Sequence, residues 1–473
     1  MPGSVELMLA NQIYISKEGL PPVLKNKLIR LAAFQNPEFY KAQAMRFPTY
    51  DKPRIVHCCE DFPKHIGLPI GCLGDIFELL HSLGIKTEVI DERFAEVPIN
   101  ARFIGELRPE QQVAADALLR HDTGVLAAST AFGKTLVAAY LIAKRSVNTL
   151  IMVHLKELLY QWIARLNTFL DVSVDDIGQF GGGKRKPTGI IDVATIQSLG
   201  RKGVVDDIVA KYGYLIVDEC HHISARSFEI VARQCKAKYV TGLSATVTRK
   251  DGHHPIIFMN CGHVRYKVDD KKQAAARPFA HEVIVRETSF RMPASFEADQ
   301  YTAIHEIYKS LLQSDERNKV IVADVMLAIK NNRFPVILTE RVEHLETLKN
   351  LLEDKITNLI VMKGGMGKKQ RQAALNALEF LPDDAEKAVL ATGRYLGEGF
   401  DDERLDTLFL TLPISWRGTL NQYAGRLHRI YDSKKKVVIY DYADLNVPVL
   451  ARMYDRRLKG YRSLGYEIKD DNS

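Results

Sequence analysis

Short, uninterrupted apolar runs separated by amphipathic stretches constrain this chain more than any other feature. Gly124-Val125-Leu126-Ala127-Ala128, Leu150-Ile151-Met152-Val153, Tyr214-Leu215-Ile216-Val217 and Tyr239-Val240-Thr241-Gly242 form one series. Pro335-Val336-Ile337-Leu338, Leu359-Ile360-Val361-Met362, Ala388-Val389-Leu390-Ala391, Leu408-Phe409-Leu410 and Val437-Val438-Ile439-Tyr440 form a second. A strand covered by helices on both faces has no solvent side, so it reads as a continuous apolar run rather than an alternating one. The pattern predicts an α/β fold with two successive parallel-sheet domains. The polar stretch Asp269-Asp270-Lys271-Lys272-Gln273 between the two series reads as a linker or domain edge. Residues before about 102 mix strand-like runs (Gln12 to Ile15) with helix-like ones (Leu24 to Ala33, Leu73 to Leu83), punctuated by prolines such as Pro21, Pro48 and Pro63. The expected domains are therefore 1–102, a small α/β accessory unit, then 103–270 and 271–473.

Composition closes off several alternatives. With 46% hydrophobic and 26% charged residues, the chain is not disordered, collagen-like or a coiled coil. No apolar run approaches the ~18 residues that a membrane span needs. The start, Met1 to Glu6, lacks a basic segment followed by an apolar core, so no secretory signal is expected there. A cytoplasmic location without membrane partners is the expectation. Lys plus Arg (65) less Asp plus Glu (58) leaves +7, which permits a polyanionic partner without demanding one. The six cysteines form no C-x-x-C pair, which points to a reducing compartment rather than a disulfide framework. Cys58-Cys59 and Cys220-His221-His222 are contiguous, and contiguous side chains rarely converge on one tetrahedral zinc ion.

Three glycine-lysine segments compete as a phosphate loop. Such a loop needs a leading strand, N–H groups facing phosphate, a lysine, a hydroxyl for Mg²⁺ and a following helix. Ala128-Ser129-Thr130-Ala131-Phe132-Gly133-Lys134-Thr135 lacks only the first glycine of the usual pattern, and a small residue such as Ala128 serves where close approach is all that is needed. A strand leads into it and the helical run Leu136 to Lys144 leads out. Gly178 to Arg185 has both glycines but carries Arg185 in place of the hydroxyl, and Pro187 and Gly189 forbid a helix behind it. Gly364 to Lys369 also lacks the hydroxyl. Residues Ala128 to Thr135 are thus the expected ATP phosphate site. The other two segments read as solvated basic loops or as contacts to a nucleic-acid backbone.

Two further constellations support this choice. Tyr214 to Val217 runs into Asp218-Glu219, where a strand-end aspartate can hold Mg²⁺ and the glutamate can polarise an attacking water. In the second series, Gln422-Tyr423-Ala424-Gly425-Arg426-Leu427-His428-Arg429 spaces Arg426 and Arg429 three apart, which on a helix puts both guanidiniums on one face, suited to the spread charge of a transferring phosphoryl group. Asp122-Thr123-Gly124 matches the aspartic-protease triplet but occurs once, just before a strand, and reads as a turn.

Together, and in this order, these residues resemble the superfamily 2 helicases and translocases of the DExH kind. The resemblance implies two tandem RecA-like domains with ATP and Mg²⁺ as cofactors. It implies that Arg108 and Gln111 read adenine, that Ala128 to Thr135 is the P-loop, and that Thr135 and Asp218 hold the metal. Lys134, Asp218, Glu219, Gln422, Arg426 and Arg429 would be catalytic, with Gly399 and Asp401 added to the nucleotide site. His221 with Ser244-Ala245-Thr246 would couple the sites. His154, Thr195, Gln197, Arg249, Lys250 and Thr392 would contact nucleic acid, together with Lys184, Arg185 and Lys186. Thr241 to Thr246 followed by Arg249-Lys250-Asp251-Gly252 is similar to the XPB-like and UvsW-like DNA branch, although Lys250 stands where XPB proteins usually carry glutamate. The chain also resembles the helicase portion of TOTE conflict-system proteins, which implies phage defence or repair, with a primase or nuclease partner. DNA (single-stranded, forked or duplex) is the expected substrate, with RNA left open. The N-terminal domain would add a grip on DNA. A duplex translocase without strand separation and a non-catalytic clamp are the alternatives.

Overall fold

The computed structural model describes residues 2–94, 97–201, 204–221, 225–246, 251–293, 304–393, 402–414 and 417–470. They form two compact units: residues up to Val268 without Ser129–Ala131, and those three residues with Asp269 onward.

The first unit contains an eight-stranded sheet in the order Lys184–Lys186, Ile177–Gly181, Ile191–Thr195, Thr149–Val153, Tyr214–Val217, Tyr239–Ser244, Thr123–Ala127, Val264–Lys267. Every neighbouring pair is parallel except the edge strand Lys184–Lys186, which pairs antiparallel with Ile177–Gly181. Alternate residues of each apolar run enter opposite cores. Ile151 and Val153 pack with Val137, Leu141, Leu159 and Trp162 from the flanking helices, while Leu150 and Met152 pack with Val209, Val231 and Ile257. Burial on both faces is why these strands show no alternation in sequence.

A five-stranded sheet occupies the N-terminal region, in the order Glu60–Asp61, His65–Leu68, Ile13–Ser16, Ser4–Leu9, Lys86–Asp91. Its core includes Ile256 and Met259 of the helix Pro255–Cys261, so it shares apolar packing with the larger sheet's layer. Gly71 marks the closest approach: a Cβ there would lie 2.3 Å from the Phe258 carbonyl oxygen, so only glycine fits. Ion pairs reinforce the seam. Arg93 Nη2 meets both Asp91 (2.6 Å) and Asp122 (2.9 Å), and Arg233 Nη1 meets Glu60 (2.7 Å). Asp122 thus precedes a strand as a structural anchor, the turn its sequence context indicates.

The second unit holds a seven-stranded, all-parallel sheet: Leu359–Met362, Ala388–Thr392, Pro335–Thr339, Thr407–Leu410, Lys436–Ala443, Ala280–Glu287, Glu467–Asp470. Three local expectations change. Residues 269–273 are helical rather than an irregular linker and begin the second unit: Asp269 accepts from Lys271 N and Lys272 N and caps a helix, Asp270–Ala275. Lys184–Lys186 is an edge strand rather than a loop, because Gly181, Gly182 and Gly183 all take positive φ and turn the chain back on itself. Gly364 to Gly367 is followed by the helix Lys368–Glu379, so strand, glycine turn and helix are all present there. All six cysteines are free. Among the described residues no group of three or more His, Cys, Asp and Glu is arranged to hold a metal, and no helix is long and apolar enough to cross a membrane.

Candidate active site

The strand Thr123–Ala127 delivers Ala128 to the carboxyl edge of the parallel sheet, where Ala128 N donates to Ser244 O at 2.9 Å. Thr130–Phe132 makes one 3₁₀ turn, and Gly133 (φ +88°) opens the helix Lys134–Arg145. Gly133 is required twice over: L side chains rarely adopt that φ, and a Cβ would lie 2.6 Å from Gln111 Nε2. Lys134 and Thr135 occupy the first turn, where helix N–H groups lack intrahelical partners and face incoming anions. Ala128 and Ser129 are buried, and Ala131 and Thr135 are partly exposed.

Gln111 and Arg108 brace this loop. Gln111 Nε2 donates to Phe132 O at 2.6 Å, Arg108 Nη2 donates to the same oxygen at 2.8 Å, and Gln111 Oε1 accepts from Arg108 N. Gln111 is only 2% exposed, so in this conformation its amide serves the loop.

The strand Tyr214–Val217 brings the carboxylates to the same edge. Lys134 Nζ pairs with Glu219 Oε1 at 2.8 Å, and Lys134 is only 6% exposed. Glu219 sits at φ +44°, a strained setting for a residue with a side chain. Its other oxygen approaches His221 Nδ1 (3.3 Å) and Ala245 N (3.4 Å). Ser244 Oγ lies 2.8 Å from His221 Nδ1 and also contacts Thr246 O. A continuous polar chain therefore runs from Lys134 through Glu219 and His221 to Ser244 and Thr246.

Asp218 is buried, and its two oxygens accept from Trp162 Nε1 (2.7 Å) and Glu219 N (2.9 Å). Burial, then the neighbouring Glu219 charge, push its carboxyl up to about 6. Burial likewise pushes the adjacent Cys220 thiol up to about 12, which leaves it an inert core group. The contact of Trp162 with Asp218 depends on the helix Lys156–Phe169 crossing over the strand end.

The residues proposed for nucleic acid are more scattered. Gln197, on the short helix Ile196–Leu199, is exposed, and its Nε2 donates to His154 O just beyond the strand Thr149–Val153. Thr195 is 6% exposed, with its hydroxyl 2.7 Å from Ser198 Oγ, so its side chain faces the protein. Thr392 is likewise buried, at 8%. Lys184, Arg185 and Lys186 are exposed, but Arg185 pairs with Asp206 (2.6 Å) and lies over the Phe180 ring. Strand alternation therefore leaves Lys184 and Lys186 on the opposite side from Arg185. Arg249, Lys250, Gly399 and Asp401 lie outside the described residues.

One geometric expectation is corrected. Arg426 and Arg429 do not share a helix face, because the helix Arg417–Leu427 ends between them. Arg426 is buried in its last turn, and Arg429 follows in the turn beyond. Gln422 is partly buried on the same helix.

Residues 104–249 match the family model described as type III restriction enzyme, res subunit. The L396 protein of Acanthamoeba polyphaga mimivirus, named for an ATP-dependent RNA helicase, is 24% identical over 79% of this chain and 71% of its own. The DNA 3′-5′ translocase XPB2 of Sulfurisphaera tokodaii is 33% identical over 34% of this chain and 36% of its own. In fold, an HsdR-type fragment of a type I restriction enzyme from Vibrio vulnificus YJ016 covers 78% of this chain and 70% of its own, with a TM-score of 0.57 and 18% identity. The chain is thus similar over most of its length to a protein named as a helicase, over about a third of its length to an XPB translocase and to the res-subunit model, and in fold to the HsdR-type fragment.

Proposed function

We propose that the protein uses ATP hydrolysis to move along DNA, with Lys134 binding the β and γ phosphates and Glu219 orienting the attacking water. The observation that carries this reading is the ion pair between Lys134 and Glu219. It joins the loop cation to the strand-end carboxylate before any phosphate competes for the lysine. Phosphate arriving at the helix start would draw Lys134 away and free Glu219 to act as the base. The Glu219 contacts with His221 and Ala245 N, and their connection to Ser244, give that release a route to the segment after the strand Tyr239–Ser244.

Mg²⁺ suits the donor set. Asp218 is a buried carboxylate with a raised pKa, which a cation would hold ionised, and the Thr135 hydroxyl stands in the helix's first turn. When bound, the ion neutralises charge on the phosphate oxygens. By the family resemblance, Arg426 and Arg429 would supply positive charge for hydrolysis, and Arg108 and Gln111 would read the base.

The strand would be held mainly by its phosphates, which makes binding independent of sequence. Gln197, Lys184 and Lys186 are the surface groups suited to that task, whereas both ring nitrogens of His154 are buried. The N-terminal region offers a second grip. Between the paired strands Ala33–Gln35 and Ile55–His57, residues 36–54 form a lobe closed at its base by Asn36, whose N and Nδ2 donate to Arg54 O and Pro53 O. The lobe exposes Tyr40, Phe47 (59%) and Tyr50 (94%) among Lys41, Arg46 and Lys52, the mixture of rings and cations that holds unpaired bases.

The deciding experiment compares ATPase stimulation by single-stranded, duplex and forked DNA and by RNA. Stimulation by DNA is expected. No stimulation by any nucleic acid sinks the proposal in favour of a clamp, and stimulation by duplex alone favours a translocase that does not separate strands.

A further inference from the structure

Lys434 has no place in the nucleotide chemistry described above, yet it is a cation buried to 7% exposure beside the pair of arginines. Its Nζ donates to three backbone oxygens: Glu403 O at 2.7 Å, Arg429 O at 2.9 Å and Leu427 O at 3.0 Å. Leu427 is the last residue of the helix that carries Arg426, and its carbonyl has no intrahelical partner. The Arg429 carbonyl belongs to one of the two arginines. Glu403 precedes the strand Thr407–Leu410, so one ammonium ties three separate backbone points together.

From this geometry we infer that Lys434 is a positioning residue for hydrolysis, ending the arginine helix at Leu427 and fixing where Arg426 and Arg429 stand. The inference rests on the proposed role of those arginines. Its chemistry is a matter of donor count. A protonated lysine has three N–H groups for three carbonyls, whereas a neutral amine has two and turns a lone pair toward the third oxygen. No other charge state of this residue satisfies all three acceptors.

The surroundings make that state sensitive to pH. Burial is the largest influence and lowers the Lys434 pKa to about 8. Asp406, Asp402 and Glu403 oppose the shift and Arg333 adds to it, while the Phe279 ring lies 5.6 Å from Nζ. With a folded value below the ordinary ~10.4 of lysine, the folded chain releases this proton first as pH rises, so folding stability gains between the two values. The three-point tie weakens over the same range. Turnover should therefore fall in alkaline solution while the fold does not.

The test uses the full chain with saturating single-stranded DNA and compares wild type, Lys434→Met and Lys434→Arg. Lys434→Met is expected to lower kcat on the order of 10²-fold, as misplaced catalytic groups do, with KM for ATP changed by less than about threefold. The wild-type kcat should fall through an alkaline limb near pH 8. That limb should vanish in Lys434→Arg, whose guanidinium keeps its donors at every accessible pH. Wild-type kcat in Lys434→Met, or an unchanged limb in Lys434→Arg, would overturn the inference. If Lys434→Met does not fold, as judged by thermal melting, the Lys434→Arg profile alone decides. Arg426→Ala and Arg429→Ala run alongside. If both keep wild-type turnover, the arginine assignment itself fails and takes this inference with it. If they lose turnover while Lys434→Met keeps it, only the inference fails.

Discussion

The Trp162 indole N–H donates to Asp218 Oδ2 at 2.7 Å, from a helix to the end of a buried strand. A carboxylate in that position has lost its water and needs donors to stay in place. Among the described residues Trp162 supplies one of the two donors to Asp218, the other being Glu219 N.

Trp162→Phe keeps the ring's packing and removes that donor. The expected result is a loss of ~1–3 kcal/mol in unfolding free energy, the usual cost of a deserted buried acceptor. ATPase turnover should fall ~10-fold or more, as it does when a supporting residue behind a metal ligand is removed. Urea titration and steady-state kinetics measure the two effects. Unchanged turnover would mean that Asp218 does not need the indole to stay oriented.

Lys134→Ala and Glu219→Gln should each reduce ATPase activity to background. They should differ in binding. Lys134→Ala loses affinity for a fluorescent ATP analogue, because the phosphate loses its cation, while Glu219→Gln retains it or binds more tightly, since Lys134 is no longer held at 2.8 Å by a carboxylate. Equal loss of binding in both variants would contradict the division of roles.

The raised Asp218 pKa sets an acid limb. The folded chain holds this proton up to about 6, above the usual carboxylate value, so the associated stability is present at low pH and is lost as pH rises through about 6. Activity runs the opposite way, because holding a metal requires the ionised form. The ATPase rate should rise through about pH 6, and raising the Mg²⁺ concentration should move that limb to lower pH. A limb that does not respond to Mg²⁺ would separate Asp218 from the metal.

Arg93→Ala tests the seam between the N-terminal sheet and the larger one. The arginine side chain is buried at 4% exposure, while Asp91 and Asp122 are near 40%, at 38% and 41%. Solvent screens those carboxylates, which reduces the cost to ~1–3 kcal/mol rather than that of a fully buried pair. A single melting transition at a lower temperature is expected. An unchanged melting temperature would show that apolar packing around Ile256 and Met259 holds the seam without the ion pairs.

The strands were legible from the sequence because burial on both faces leaves only apolar residues available. Local chemistry also marked the loop around Lys134, since a glycine at positive φ before a helix is a backbone requirement, and it marked Asp218-Glu219 as the end of a strand. The sequence by itself thereby determined two parallel sheets and the residue types of the nucleotide site. Tertiary structure alone decided what lies between elements far apart in the chain. Trp162 and Asp218 are separated by 56 positions, and no periodicity couples them. The end of the helix at Leu427 depends on a lysine that returns from beyond the turn and on a carbonyl at Glu403 from another segment. Spacing predicted a helix through Arg429 because helical geometry is local, whereas the ammonium that stops it reaches its partners only once the sheet has brought those segments together.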